Sequence, residues 1–171
     1  MNYCYANYLK YKHDKNNTTM INAFNSTEDI LNFAISREQE SVDLYVRLAN
    51  EAPTPQMRDV FNSFAAEERG HKKRLMNIQS SGQFKLVDKQ IKDLKIEDYL
   101  VDVSETVGLT YQAALILAMK KEKAAFKLYV NLSTRVDDPL LKSLFDTLAQ
   151  EESKHKLRFE LEYDEVINKE N

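Results

Sequence analysis

Six ionisable side chains at positions that a helical period directs into the core constrain this chain more than any other feature of its sequence. In a first segment Leu31, Ile35, Val42, Tyr45 and Leu48 form an apolar stripe at helical spacing, and Glu38 falls inside it. In a third segment Leu115, Met119, Phe126, Tyr129 and Leu132 do the same around Glu122. The second and fourth segments read Phe64, Glu68, His71, Leu75 and Leu148, Glu152, His155, Phe159, which sets a Glu and a His one turn apart on the buried face of each helix. Four amphipathic helices are predicted, each carrying charge where it ought to carry only hydrocarbon.

The segments are copies in pairs. A shift of 84 positions (122 − 38) carries Glu38 onto Glu122, Tyr45 onto Tyr129, Pro55 onto Pro139, Phe61 onto Phe145, Glu68 onto Glu152 and His71 onto His155, without a gap. Apolar stripes coincide easily by chance; charged residues within them do not. The economical reading is a duplicated antiparallel hairpin and a pseudo-twofold bundle.

Local signals divide the chain accordingly. Ser26 or Thr27, followed by Glu28 and Asp29, is a capping signal for the first helix, which must end before Pro53. Thr54 and Pro55 open the second, and Ser80-Ser81-Gly82 stops it. Thr110 opens the third; Asp137 or Asp138 with Pro139 opens the fourth. The connection from Gln83 to about Leu109 is a long crossover, with a short helix expected near Ile96 to Val101. Residues 1–19 show no clear core-facing period, and residues 1–25 are expected to form a flexible tail, leaving residues 26–171 as one all-α four-helix bundle.

Four carboxylates gathered at one level of such a bundle need compensation. An unpaired buried charge carries a penalty of several kcal/mol, so four would exceed a marginal stability of roughly 5–15 kcal/mol. No Lys or Arg occupies the inward stripe positions, which makes metal ions the expected counter-charge. Four carboxylates and two neutral imidazoles are neutralised by two divalent ions. Oxygen-rich ligation with one His per ion suits Fe, Mn or Zn, and bridging carboxylates would hold the ions about 3.5–4 Å apart. Glu38, Glu68, His71, Glu122, Glu152 and His155 are thus the candidate ligands. Tyr45 and Tyr129 lie two turns beyond Glu38 and Glu122, either as core aromatics or as hydroxyl donors to the carboxylates. Glu67 and Glu151 are rotated about 100° from the inward Glu residues and are expected on the solvated outer face.

Composition narrows the functional classes. A net charge of −3 provides no general basic field for nucleic acid or an anionic membrane, and no apolar run approaches the roughly 20 residues of a membrane span. Cys4 is the single cysteine, which excludes an intrachain disulfide framework and a cysteine-built iron–sulfur site in this chain. With no signal-peptide core at the N-terminus, a soluble cytoplasmic protein is expected.

Glu38 and Glu122 together with two Glu-x-x-His pairs form the donor pattern of ferritin-like di-iron and di-manganese proteins. Residues 30–165 resemble the rubrerythrin-like branch of that superfamily. The resemblance is carried by Ala34-Ile35-Ser36-Arg37-Glu38 through Tyr45, Glu67-Glu68-Arg69-Gly70-His71, Ala118-Met119-Lys120-Lys121-Glu122 through Tyr129, and Glu151-Glu152-Ser153-Lys154-His155. It implies a ferritin-like bundle with two irons that reduces hydrogen peroxide to water in oxidative-stress defence. It further implies Glu38 and Glu122 as terminal or shifting ligands and Glu68 and Glu152 as bridges.

Two departures shape what is carried over. Full rubrerythrins supply electrons from a rubredoxin-like four-cysteine iron site, which one cysteine cannot build, so an external rubredoxin-type donor protein is implied. Ala125 stands where the family tends to have an extra carboxylate that serves an iron moving off its His, so that movement is not carried over. A similar ligand set also serves iron oxidation and storage of the bacterioferritin type, although Arg69 and Ser153 stand where such a protein would place a haem-ligating Met. Oxygen-dependent di-iron oxidation or hydroxylation is a third reading, and a homodimer or higher homo-oligomer is expected in each case.

Overall fold

The computed structural model describes residues 26–84, 96–102 and 108–170. Among them lie four α-helices, α1 (Thr27–Glu51), α2 (Pro55–Ser81), α3 (Tyr111–Arg135) and α4 (Pro139–Glu170), with a single 3-10 turn at Ile96–Tyr99 before α3. The expected tail at 1–25 and most of the crossover lie outside the described residues.

The helix boundaries follow the capping chemistry. Ser26 accepts the Asp29 amide at 3.1 Å at the start of α1, and Thr54 and Thr110 accept the Met57 and Ala113 amides at 3.3 and 3.2 Å to start α2 and α3. At the start of α4 the Asp138 carboxylate takes two amides, those of Leu140 at 2.9 Å and Leu141 at 3.1 Å. Gly82 ends α2 at φ +60°, a left-handed conformation that side-chain-bearing residues rarely adopt. The expected short helix in the crossover is a 3-10 turn of four residues, too short to nucleate an α-helix unaided; its Tyr99 side chain is buried against the core.

α1 pairs antiparallel with α2 and α3 with α4, and the two hairpins pack into a ferritin-like four-helix bundle. Its apolar interior is split into two plugs. One gathers Ile30, Leu31, Leu75, Leu128, Tyr129, Phe145 and Leu148; the other gathers Leu44, Tyr45, Phe61, Phe64, Leu115 and Phe159. The 84-residue shift exchanges the plugs, for Leu44, Tyr45, Phe61 and Phe64 map onto Leu128, Tyr129, Phe145 and Leu148. Stacked rings fill the second plug, with Phe64 and Phe159 centroids 3.8 Å apart. Each such buried ring stabilises the fold by roughly 1.5–3 kcal/mol. All six ionisable residues of the stripes are buried, and they occupy the layer between the plugs.

The bundle revises three expectations. Phe126 is 38% exposed, and Leu128 takes the buried place on that side of α3, while Ile35 is only half-buried. Arg37 and Lys121, which immediately precede Glu38 and Glu122, are buried, so the interior is not free of cations. Both turn toward Glu40 of α1: Arg37 pairs with it, and Lys121 Nζ lies 3.5 Å from it. Burial and the neighbouring Arg37 push the Lys121 ammonium down to about 8.

Candidate metal centre

The buried layer has the same pseudo-twofold as the sequence. His71 Nδ1 lies 2.8 Å from Glu152 Oε1, 3.3 Å from Glu68 Oε2 and 3.5 Å from Glu38 Oε2. His155 Nδ1 lies 3.1 Å from Glu68 Oε1, 3.3 Å from Glu122 Oε2 and 3.5 Å from Glu152 Oε2. Glu68 and Glu152 therefore each turn one oxygen to either imidazole, whereas Glu38 and Glu122 each serve one. The two imidazole rings are parallel, with centroids 5.2 Å apart. Donor atoms of Glu68, His71, Glu152 and His155 all fall within 4.8 Å of one another.

The fit to cations can be judged from the acceptors. Oε2 of Glu38, Glu122 and Glu152 is buried without a hydrogen-bond partner among the described residues. An orphaned carboxylate oxygen in a dry interior is costly, and three converging on one layer form a coordinating surface. Oxygens and imidazole nitrogens in this ratio suit Fe, Mn or Zn. The buried cluster thus has the donors to hold a pair of metal ions.

Electrostatics in the layer are severe. Burial and the adjacent Glu68 push Glu38 up to about 7, against the pull of His71. Burial and Glu152 push Glu122 well above the ordinary carboxylate value. Glu152 is held low instead: burial works against its charge, but bonds from His155 and His71 prevail. Burial opposes a charge on His71 too, yet Glu152, Glu38 and Glu68 push it up to about 12. His155 is raised likewise by Glu122, Glu152 and Glu68. Without metal the imidazoles thus serve as the cations of the layer.

The tyrosines are donors. Tyr45 of α1 donates its hydroxyl to Glu122 Oε1 of α3, and Tyr129 of α3 donates to Glu38 Oε1 of α1. Burial and Glu38 raise the Tyr129 hydroxyl well above its ordinary value, so it keeps its proton. Glu122 and Glu38 thereby each have one oxygen tied to a phenol of the opposite hairpin and the other directed into the layer.

Glu67 and Glu151 are only partly solvated, and each also faces a histidine of the opposite hairpin. Glu67 Oε2 lies 3.1 Å from His155 Nε2, and Glu151 Oε2 lies 3.2 Å from His71 Nε2. Arg158 donates to Glu67 Oε1 at 2.7 Å, and Arg74 donates to both oxygens of Glu151. Burial opposes these charges, but the Arg and His partners hold both carboxylates below the ordinary value. One sequence signal was available: the 84-residue shift maps Glu67 onto Glu151 and Arg74 onto Arg158, and so repeats both members of the pair.

The fold is similar to that of a hypothetical protein from Pyrococcus furiosus, with a TM-score of 0.61 and 23% identity over 82% of this chain and 90% of that one. It is also similar to an uncharacterised conserved protein from Magnetospirillum magnetotacticum MS-1, with a TM-score of 0.64 and 23% identity over 81% of this chain and 94% of that one. No curated protein matches the chain. The rubrerythrin family model matches residues 29–163, a span that reaches into all four helices of the bundle and includes every residue of the buried layer. On that match the chain belongs to the rubrerythrin family.

Proposed function

We propose that the chain is a di-iron peroxidase that reduces hydrogen peroxide to water with electrons from an external donor protein. The observation that carries this reading is the division of Glu68 and Glu152, each with one oxygen toward His71 and one toward His155. Carboxylates placed so would serve both ions of a pair, with Glu38 and His71 at one end and Glu122 and His155 at the other. Glu38, Glu68, Glu152 and His71 would hold one iron, and Glu122, Glu68, Glu152 and His155 the other. Manganese or zinc would fit the same donors.

Bound there, the pair would supply two electrons by passing from the diferrous to the diferric state. The balance is H2O2 + 2e⁻ + 2H⁺ → 2H2O, so each turnover needs two electrons from outside and two protons. The chain's own residues set the conditions. Tyr45 and Tyr129 hold their protons on the hydroxyl oxygen and fix the terminal carboxylates. The rings of Phe64, Phe159 and Phe145 sit in the plugs above and below the layer and exclude bulk water from those directions. With Cys4 as its single cysteine, the chain builds no rubredoxin centre of its own, and a reduced rubredoxin-type protein is the donor class the reading requires. Among the described residues no helix is long and apolar enough to cross a membrane. The reading places the protein in the cytoplasm as a homodimer or larger homo-oligomer.

Protein loaded anaerobically with ferrous iron should consume one peroxide per site and stop, and a reduced rubredoxin-type donor should restore cycling. Continued peroxide consumption with no donor present would contradict the proposal.

A further inference from the structure

The inference rests on the metal-centre reading and concerns the groups behind its histidines. Both imidazoles turn Nδ1 toward the carboxylates of the layer and Nε2 away from them. Behind each Nε2 stands a carboxylate from the other hairpin: Glu67 of α2 at 3.1 Å from His155 of α4, and Glu151 of α4 at 3.2 Å from His71 of α2. We propose that Glu67 and Glu151 are crossed positioning residues, each fixing the metal-facing orientation and tautomer of the histidine on the opposite hairpin.

Several independent features of the geometry agree. An imidazole that donates Nε2–H to a carboxylate keeps its Nδ1 lone pair for a metal, and the negative partner raises the basicity of that nitrogen. Each carboxylate is itself anchored, Glu67 by Arg158 and Glu151 by Arg74. The Arg158 guanidinium is fixed in turn over the Phe64 ring at 4.2 Å, and that ring meets His155 edge-on at 5.3 Å between centroids. His155 is thus braced by a closed set of contacts. The repeat preserves both pairs, whereas it does not preserve Arg69 and Ser153 or Lys73 and Leu157 on the same helices. Glu67 and Glu151 keep 38% and 32% of their side-chain surface exposed, so replacing them removes a bond rather than core packing.

The crossing makes the proposal specific. Ferrous ion would be titrated anaerobically into the parent protein, Glu67→Ala, Glu151→Ala, and Glu67→Ala combined with His155→Ala or with His71→Ala. Glu67→Ala should weaken one of the two ions by about 10–100-fold and leave the other near its parental affinity. The loss should vanish in the His155→Ala background and persist in the His71→Ala background, because of the two histidines it is His155 whose Nε2 lies 3.1 Å from Glu67. Glu67→Gln, whose amide oxygen still accepts Nε2–H, should recover most of the affinity while raising the reduction potential of the site, since the charge is gone. In zinc-loaded protein labelled with nitrogen-15, the His155 Nε2–H resonance should shift in Glu67→Ala and the His71 resonance should not.

Parental affinity for both ions in Glu67→Ala and Glu151→Ala would overturn the proposal. So would a loss that follows His71 instead of His155, or an unchanged potential in Glu67→Gln. Failure of the parent protein to take up two ions would overturn the metal-centre reading on which the proposal stands, and is distinct from either result.

Discussion

Removing the metal should make stability depend steeply on pH, in a direction the layer dictates. In the metal-free protein His71 is pushed up to about 12 by Glu152, Glu38 and Glu68 against the effect of burial, while an unfolded histidine titrates near 6.5. His155 is raised likewise. Glu38, pushed up to about 7, and Glu122, raised further, keep protons that the unfolded chain has already released. Above pH 6.5 all four groups leave the folded state holding more protons than the unfolded one, so stability falls as pH rises. Below about 8 no opposing group interferes: Glu152 is held low and is ionised in both states, and Lys121, pushed down to about 8, acts in the other sense only above that value. Each retained proton contributes a slope of at most about 1.4 kcal/mol per pH unit. From pH 6.5 to 8 each histidine should therefore remove roughly 1.5 kcal/mol. Two together should lower Tm on the order of 10 °C in a chain of this size. Thermal melts by far-ultraviolet circular dichroism at half-unit steps, after metal removal is confirmed, measure this directly. In the metal-loaded protein the same groups are held deprotonated by the ions, and the melts should be nearly flat over that window and higher throughout. A metal-free Tm that stays level or rises between pH 6.5 and 8 would refute the reasoning.

Anaerobic loading with ferrous iron should approach two ions per chain, and Glu68→Ala or Glu152→Ala should lower that number, because each carboxylate faces both imidazoles; full stoichiometry in either variant would count against the bridges. Tyr45→Phe and Tyr129→Phe should each destabilise the metal-free fold by about 1–3 kcal/mol in denaturant titrations, the cost of leaving a buried carboxyl oxygen without its donor. A change under 0.5 kcal/mol would mean that the terminal carboxylates do not depend on these hydroxyls. Phe145→Ala, which empties one plug at a side chain with 0% exposure, should remove about 3–5 kcal/mol and lower metal retention with it, as read by melting and metal analysis.

The parts of this molecule written in one helix at a time were legible in its sequence. Ser26, Thr54, Thr110 and Asp138 cap as their residue types suggest, and the six ionisable residues fall in phase with the apolar stripes because a single helix sets that phase. What was not legible depends on a second helix. A rotation of about 100° takes Glu67 off its own helix's core stripe, but in the bundle that direction faces α4, where His155 and Arg158 wait. Arg37 and Lys121 lie off the stripe positions for the same reason; their long apolar stems let them enter while their charges converge on Glu40. Phe126 matched the period of α3 and still faces outward, since the period marks a stripe about half a helix wide and only the packed neighbours decide where it ends. The tyrosine pairs lay between: repeat and spacing placed them near the carboxylates, and only the bundle showed each reaching the opposite hairpin.

The central claim is that the buried layer holds two irons that react with peroxide. Stopped-flow mixing of the diferrous protein, at two irons per chain, with peroxide and separately with oxygen tests it most directly. Faster oxidation by peroxide, ending at a diferric site with no iron mineral, is the predicted result. Faster oxidation by oxygen, with ferric mineral accumulating beyond two irons per chain, would contradict the account and favour iron storage in its place.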